Sequence, residues 1–171
     1  MKYGVCTLGI VPLREEASDK SQLETQMLYG DLFKILEVRK KWTKIRLERD
    51  QYVAWVDNNQ YKAISSEDFN YLKNLPKVLS EDVLSYVVLA DNTLQLVPFG
   101  CNLAVCDYLN HRFEGRAKEI NEYSGSHENI VDTALIFRNA PYLCGGKTHF
   151  GIDCSGFTQT IYAQNGINIP R

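Results

Sequence analysis

The chain has 171 residues, a length that fits one or two domains and lets a core form without covalent staples. Nineteen Lys and Arg against 21 Asp and Glu leave a net charge of −2 with no basic stripe, so no nucleic-acid partner is expected. No run approaches the roughly 18 apolar residues of a spanning helix, and residues 1–13 lack the apolar region and cleavage site of a signal peptide. The expectation is a chain without a membrane partner, cytoplasmic rather than exported, although a periplasmic or secreted protein with its signal removed would read the same way.

The first sixty residues read as short strands between polar turns. Leu32–Val38 is β-rich and ends at Arg39-Lys40-Lys41. Trp42–Leu47 then alternates, with Ile45 and Leu47 set between Lys44, Arg46 and Glu48, which places one face on a core. Glu48-Arg49-Asp50 turns the chain into Tyr52-Val53-Ala54-Trp55-Val56. Strands this short and close imply a small barrel or sandwich. Ser66 is the expected N-cap of a brief helix carrying Phe69, Leu72 and Leu75 on one face, stopped by Pro76. A second β-rich stretch follows over 83–106, with its turn at Asp91-Asn92.

The segment Leu28-Tyr29-Gly30-Asp31-Leu32-Phe33 has an echo in Pro98-Phe99-Gly100-Cys101-Asn102-Leu103, which suggests two related β modules. After Gly125 the texture turns helical. Ile130, Ala134 and Phe137 share a face of a helix over 128–139, and a Gly-rich loop spans 141–151. A last helix runs over 154–165, with Phe157 and Ile161 four apart and Gly166 at C′. The expected class is α+β, with a β domain over 1–64, a helical linker over 65–82, a partial β module over 83–122 and a different unit over 123–171.

Five Cys at irregular spacing (Cys6, Cys101, Cys106, Cys144, Cys154) do not make a disulfide framework. The chemistry sits around the last of them, in Tyr142-Leu143-Cys144-Gly145-Gly146-Lys147-Thr148-His149-Phe150-Gly151-Ile152-Asp153-Cys154-Ser155-Gly156. Asp153 as N-cap puts Cys154 in the first helical turn, where unpaired N–H groups and the helix dipole favour an anion. A thiolate is such an anion, and the same N–H groups suit the oxyanion of an acyl transfer. Gly156 is expected to admit a substrate closely. A buried structural Cys at a helix start is the plain alternative.

This segment resembles the nucleophile region of the NlpC-type, papain-like cell-wall peptidases, whose pattern is Tyr-x-Trp-Gly-Gly, a short loop, then Asp-Cys-Ser-Gly. Tyr142, Gly145, Gly146, Asp153, Cys154, Ser155 and Gly156 match it. Upstream, Val11-Pro12-Leu13-Arg14, Tyr29-Gly30 and Tyr52-Val53-Ala54-Trp55-Val56 resemble the bacterial SH3-like modules of gamma-D-glutamyl-L-diamino acid endopeptidases.

The resemblance implies SH3-like small barrels ahead of the first, helical part of a papain-like domain. It also implies hydrolysis of gamma-D-glutamyl–diamino acid bonds in murein peptides that begin with a free L-Ala. Cys154 would attack the gamma-D-glutamyl carbonyl and Tyr142 would stand beside the oxyanion. Asp153 and Ser155 would hold the substrate, including its amine. No cofactor or metal is implied.

Two positions depart from the pattern. Cys144 stands where the family has Trp, removing a flat wall from the substrate site, and Ala54 replaces a Gly before Trp55. The family's general-base His lies further downstream, and His111, His127 and His149 do not fill its position. The expectation is therefore a chain cut short of its catalytic His and inactive alone, with the apolar face of Phe157 and Ile161 uncovered and available for self-association. A non-catalytic module that binds wall peptides is the alternative. A metal site through Cys144, His149 and Cys154, or through Cys101, Cys106 and His111, lacks the usual ligand spacing.

Overall fold

A computed structural model describes residues 2–120 and 127–171, the side chains of His127 and Glu128 excepted. Strands β1 (Tyr3–Val5), β2 (Ile10–Arg14), β3 (Leu23–Leu28), β4 (Leu32–Val38), β5 (Trp42–Leu47), β6 (Val53–Asp57) and β7 (Lys62–Ile64) form one antiparallel sheet in the order β3-β2-β6-β5-β4-β1-β7. The alternation of β5 buries Thr43, Ile45 and Leu47 while Arg46 stays in water. Val11, Leu13, Met27, Phe33, Ile45 and Val56, drawn from five strands, meet in one buried cluster, so the sheet curls around them. Each such side chain contributes roughly 1.5–3 kcal/mol by burial. On the outside, the Arg39 guanidinium stacks 4.2 Å above the Trp55 ring.

Helix α1 (Ser66–Lys73) is capped by Ser65, one residue earlier than expected. Ser65 has the extended backbone an N-cap requires, and its Oγ accepts the Asp68 N–H at 3.0 Å. Phe69 and Leu72 are buried, and the Tyr3 ring stacks on Phe69 at 4.2 Å.

Residues 77–80 depart from the expected helical linker. They form β8 (Lys77–Ser80), paired with β12 (Ala117–Ile120). Strands β9 (Leu84–Val88), β10 (Leu94–Pro98) and β11 (Arg112–Glu114) make a three-stranded sheet in the order β10-β9-β11. The β-rich run also ends before Cys106. Leu103–Val105 is a 3₁₀ turn leading into α2 (Cys106–Leu109). The Asn102 side chain starts that turn by accepting the Ala104 N–H at 3.2 Å.

The two echo segments are neighbours in space, the Asn102 N–H donating to the Tyr29 carbonyl at 2.9 Å. Both turn through a left-handed glycine, Gly30 at φ +83° and Gly100 at φ +81°. They diverge after it, because Asp31 leads into strand β4 whereas Asn102 caps a helical turn. One core joins the two regions: Val5, Leu28, Tyr29 and Ile64 pack with Val87, Val97 and Leu103.

The last unit holds α3 (His127–Ile136), the short hairpin β13 (Lys147–Thr148) and β14 (Gly151–Ile152), and α4 (Cys154–Gln164). Phe137 lies edge-on to Phe99 at 5.5 Å and to Phe157 at 6.1 Å, and Ile152 joins them. Ile161 is buried. The expectation of a bare apolar face on α4 is thereby corrected: Phe99 of the second β region and Phe137, just after α3, pack against it. A Schellman turn closes the helix, with Gly166 N–H on the Ala163 carbonyl at 3.1 Å and Ile167 N–H on Tyr162 at 2.9 Å. The class is α+β. Among the described residues, no helix is long and apolar enough to cross a membrane.

Candidate active site

Asp153 organises the segment. Its Oδ1 accepts the Gly156 N–H at 2.6 Å and the Ser155 hydroxyl at 3.0 Å. Its Oδ2 accepts the Gly145 N–H at 2.7 Å and Arg171 Nη2 at 2.5 Å. Burial alone would raise this carboxyl, but the two backbone bonds and Arg171 outweigh it and hold it below the usual carboxylate range. Four donors fill the lone pairs of both oxygens. In this geometry Asp153 is a cap and a hub, with no lone pair left for a substrate ammonium.

Cys154 follows as the first residue of α4 with its side chain exposed. Gly156 N–H is taken by Asp153 Oδ1, and Phe157 N–H by the Asp153 carbonyl at 2.8 Å. Among the described residues, the N–H groups of Cys154 and Ser155 are thus the donors of the first turn left without a partner. They belong to the residue bearing the sulfur and to its neighbour, and donors of this kind can stabilise an oxyanion formed beside them.

Gly156 is needed for a different reason from the one expected. A Cβ there would fall 2.2 Å from the Gly146 carbonyl oxygen, so its bareness lets the glycine-rich loop pack on the helix. Gly145, at φ +83°, is likewise required: a Cβ would stand 2.4 Å from the Leu23 carbonyl oxygen of the first β domain.

The loop runs along β14, with Leu143 N–H on the Ile152 carbonyl at 3.2 Å and Asp153 N–H on Gly146 at 3.2 Å. It presents Tyr142, Leu143, Cys144 and Phe150 to solvent, Tyr142 at 74%. Cys144 is therefore a surface residue.

The first β domain also reaches this place, which the sequence did not disclose. Arg171 Nε donates to the Glu24 carbonyl at 3.1 Å, and the Tyr52 hydroxyl donates to the Glu24 carboxylate. Burial and Glu24 push the Tyr52 hydroxyl up to about 12. Lys147 N–H donates to Gln26 Oε1 at 2.8 Å, and its side chain is buried against Asp50. Gln159 of α4 donates to the same Asp50 oxygen at 3.2 Å. No local signal marks these partners, since a Lys in a loop ordinarily reads as solvated.

Two histidines have described surroundings, and His149 Nδ1 is buried with no hydrogen-bond partner among the described residues. His111 Nδ1 lies 2.8 Å from the Tyr29 hydroxyl, and the His149 ring lies 4.6 Å from that of Phe137. The side chain of His127 lies outside the described residues. Among the described residues, no imidazole is hydrogen-bonded to Cys154, and no three His, Cys, Asp or Glu gather as metal ligands.

A curled β domain packed on a helix that opens with an exposed Cys defines a class. Residues 13–60 match the bacterial dipeptidyl-peptidase SH3 domain, and residues 139–171 match the NlpC/P60 family. The chain is similar to NlpC/P60 cysteine peptidases that carry N-terminal SH3 domains.

Among its relatives is the gamma-D-glutamyl-L-lysine dipeptidyl-peptidase of Bacillus cereus (strain ATCC 10987 / NRS 248), 26% identical over 190 residues, covering 90% of this chain and 54% of the relative. The enzyme of the same name from Bacillus subtilis (strain 168) is 26% identical over 191 residues, 99% of this chain and 58% of the relative. The chain thus spans a little over half the length of these relatives. The crystal structure of an NlpC/P60 family protein from Bacillus cereus ATCC 10987 superposes with a TM-score of 0.76 at 17% identity, over 98% of this chain and 74% of that one, a likeness of fold.

Proposed function

We propose that the chain carries the nucleophile half of a cysteine peptidase acting on murein peptides, at the gamma-D-glutamyl–diamino acid bond of peptides with a free N-terminal L-Ala. One observation carries this reading: an exposed Cys154 opens α4 beside two free N–H groups. The sulfur attacks the gamma-carbonyl carbon, and the N–H groups of Cys154 and Ser155 hold the oxyanion. Collapse releases the diamino acid's amine, which takes a proton as it leaves, and water then hydrolyses the thioester. Tyr142 stands on the exposed rim of the same loop.

Asp153 is saturated, so the substrate ammonium falls to Glu24. Among the described residues that carboxylate accepts from Tyr52 and Gln22, and it keeps room for a third donor. The 2.6 and 3.0 Å bonds of Asp153 to Gly156 and Ser155 give both residues a positioning role.

Acyl transfer from a thiolate also needs a proton donor for the leaving nitrogen. No imidazole among the described residues is bonded to the sulfur, so the 171 residues alone are expected to turn over very slowly. Loss of one member of a nucleophile–base unit costs on the order of a million-fold in the serine analogue. That same observation favours, as second reading, a module that binds wall peptides without cutting them.

The experiment incubates the chain with L-Ala-gamma-D-Glu-diaminopimelate, follows cleavage by mass spectrometry, and measures binding by calorimetry with Cys154→Ser as control. Thioester trapping or slow cleavage lost in Cys154→Ser supports the peptidase. Binding with neither supports the module. Absence of both binding and cleavage refutes both readings.

A further inference from the structure

A cavity of about 310 Å³ lies where the first β domain, α1, the second β region and the far end of α4 meet. It is distinct from the Cys154 site. Ala163, which lines it, sits at the C-terminal end of α4, and Asn168 follows that helix. Nine residues at about 1.5 Å each separate Ala163 from the sulfur-bearing end. Its walls divide by chemistry. Leu32, Leu72, Leu75 and Leu79 supply an aliphatic side, and Arg49 and Lys77 a cationic one.

The charges do not balance. Lys73 is matched by Glu48 at 2.5 Å. Arg49 Nη2 stands 3.5 Å from Asp31 Oδ2, beyond a good hydrogen bond, and that oxygen already accepts the Leu28 N–H at 2.9 Å. Arg49 Nε and Nη2 have no hydrogen-bond partner among the described residues. Lys77 is exposed as a residue and has no carboxylate within ion-pair distance among them; partial desolvation of its amine, then the Arg49 charge, pull it below the ordinary lysine value against the opposing pull of Asp31 and Glu48. Asp31, Glu48 and Lys73 also line the cavity, but Glu48 is engaged by Lys73 and Asp31 by the Leu28 N–H, so Arg49 and Lys77 lack a well-bonded carboxylate of their own beside the leucine wall. An uncompensated guanidinium at such a place is costly until an anion completes it.

We propose that this cavity is a binding site for a small carboxylate with an aliphatic body, its carboxylate taken by Arg49 and Lys77 and its carbon chain laid against Leu32, Leu72, Leu75 and Leu79. A planar carboxylate matches the guanidinium fork, and the aliphatic wall selects against a bare inorganic anion. The site stands independently of the peptidase reading.

Calorimetric titration of the 171-residue chain tests it with three probes: hexanoate, hexanol as the uncharged analogue, and inorganic phosphate as the anion without a tail. Hexanoate is expected to bind saturably and more tightly than either control. Arg49→Gln and Lys77→Gln, each checked for folding by circular dichroism, are each expected to weaken it about tenfold or more, the loss of one charge-assisted bond. Lys77 is exposed at the surface, so Lys77→Gln stays informative if Arg49→Gln fails to fold. Absence of saturable hexanoate binding overturns the proposal, as do equal affinities for hexanoate and hexanol, phosphate binding tighter than hexanoate, or an affinity unchanged in the folded variants.

Discussion

Lys147 Nζ lies 3.5 Å from Asp50 Oδ2, and the two side chains are 1% and 0% exposed. Lys147 belongs to the hairpin that leads into Cys154, whereas Asp50 belongs to the first β domain, so this buried pair ties the nucleophile segment to a domain almost a hundred residues earlier. The pair is lopsided. Asp50 also accepts the Tyr52 N–H at 3.1 Å and the Gln159 amide at 3.2 Å, while Lys147 Nζ makes no hydrogen bond among the described residues.

The lopsidedness predicts unequal costs. At pH 5, where the Lys147 amine is charged, Asp50→Asn strips it of its counter-charge and is expected to destabilise by about 2 kcal/mol or more. Lys147→Met leaves Asp50 with its other donors and should cost less than half as much. Urea denaturation of the two variants decides it, and a larger loss in Lys147→Met would show that the amine holds the junction rather than the carboxylate.

Asp153→Ala should be among the most damaging substitutions in the last unit. It removes an N-cap worth about 1 kcal/mol and leaves Arg171, which is 5% exposed at its side chain, as an uncompensated buried cation. Ser155→Ala removes a single bond to the same carboxylate and should cost no more than about 1.5 kcal/mol. Equal losses in the two variants would contradict the hub role of Asp153.

Local features were legible in the sequence because local chemistry determines them. The alternation at Trp42–Leu47, the stop near Pro76 and the cap at Asp153 each rest on neighbours in the chain. Residues 103–109 were not legible, since Leu103-Ala104-Val105 suits a strand as well as a turn until the Asn102 side chain commits it. Strand β8 was hidden because its partner lies almost forty residues on. Half of the candidate site was hidden for the same reason. Glu24, Asp50 and Tyr52 carry no motif, and only the packing of the glycine loop against Leu23 brings them to Asp153 and Lys147.

The five thiols should separate into two groups on brief treatment with iodoacetamide. Cys6, Cys101 and Cys106 are buried, and burial pushes each thiol up, so they should label slowly. Cys144 and Cys154 are exposed. Cys154, at a helix N-terminus with free N–H groups beside it, should label first, as mass spectrometry of the digested protein can rank. Labelling of Cys144 ahead of Cys154 would count against the nucleophile assignment.

Cys144→Trp places an indole where the sequence pattern this segment resembles has Trp. Because Cys144 is exposed, the change should alter stability by no more than about 0.5 kcal/mol. Partial burial of an indole against a bound peptide should tighten binding, with roughly 1.5–3 kcal/mol as the ceiling for full burial. Calorimetry in a Cys154→Ser background reads the affinity. Unfolding of the variant would show that the loop packs more tightly than its exposure indicates.

The last prediction concerns pH. Burial, with the Arg49 charge assisting, pulls the Lys147 amine down to about 7 against the opposing pull of Asp50. Unfolding returns it to the ordinary lysine value near 10.4. Between those two values the unfolded chain binds the proton more tightly than the folded one, so stability must rise with pH across that window and be lost as pH falls through about 7. The slope attributable to this one group is at most about 1.4 kcal/mol per pH unit. Tyr52 and the three buried thiols act in the opposite direction at the alkaline end, their folded values being raised, and they are common to wild type and Lys147→Met. The difference between the two proteins therefore isolates Lys147. Urea midpoints at pH 7, 8 and 9 should climb more steeply in the wild type than in Lys147→Met. Parallel lines, or a steeper climb in the variant, would mean that the amine keeps an ordinary affinity for its proton and that Asp50 repays its burial in full.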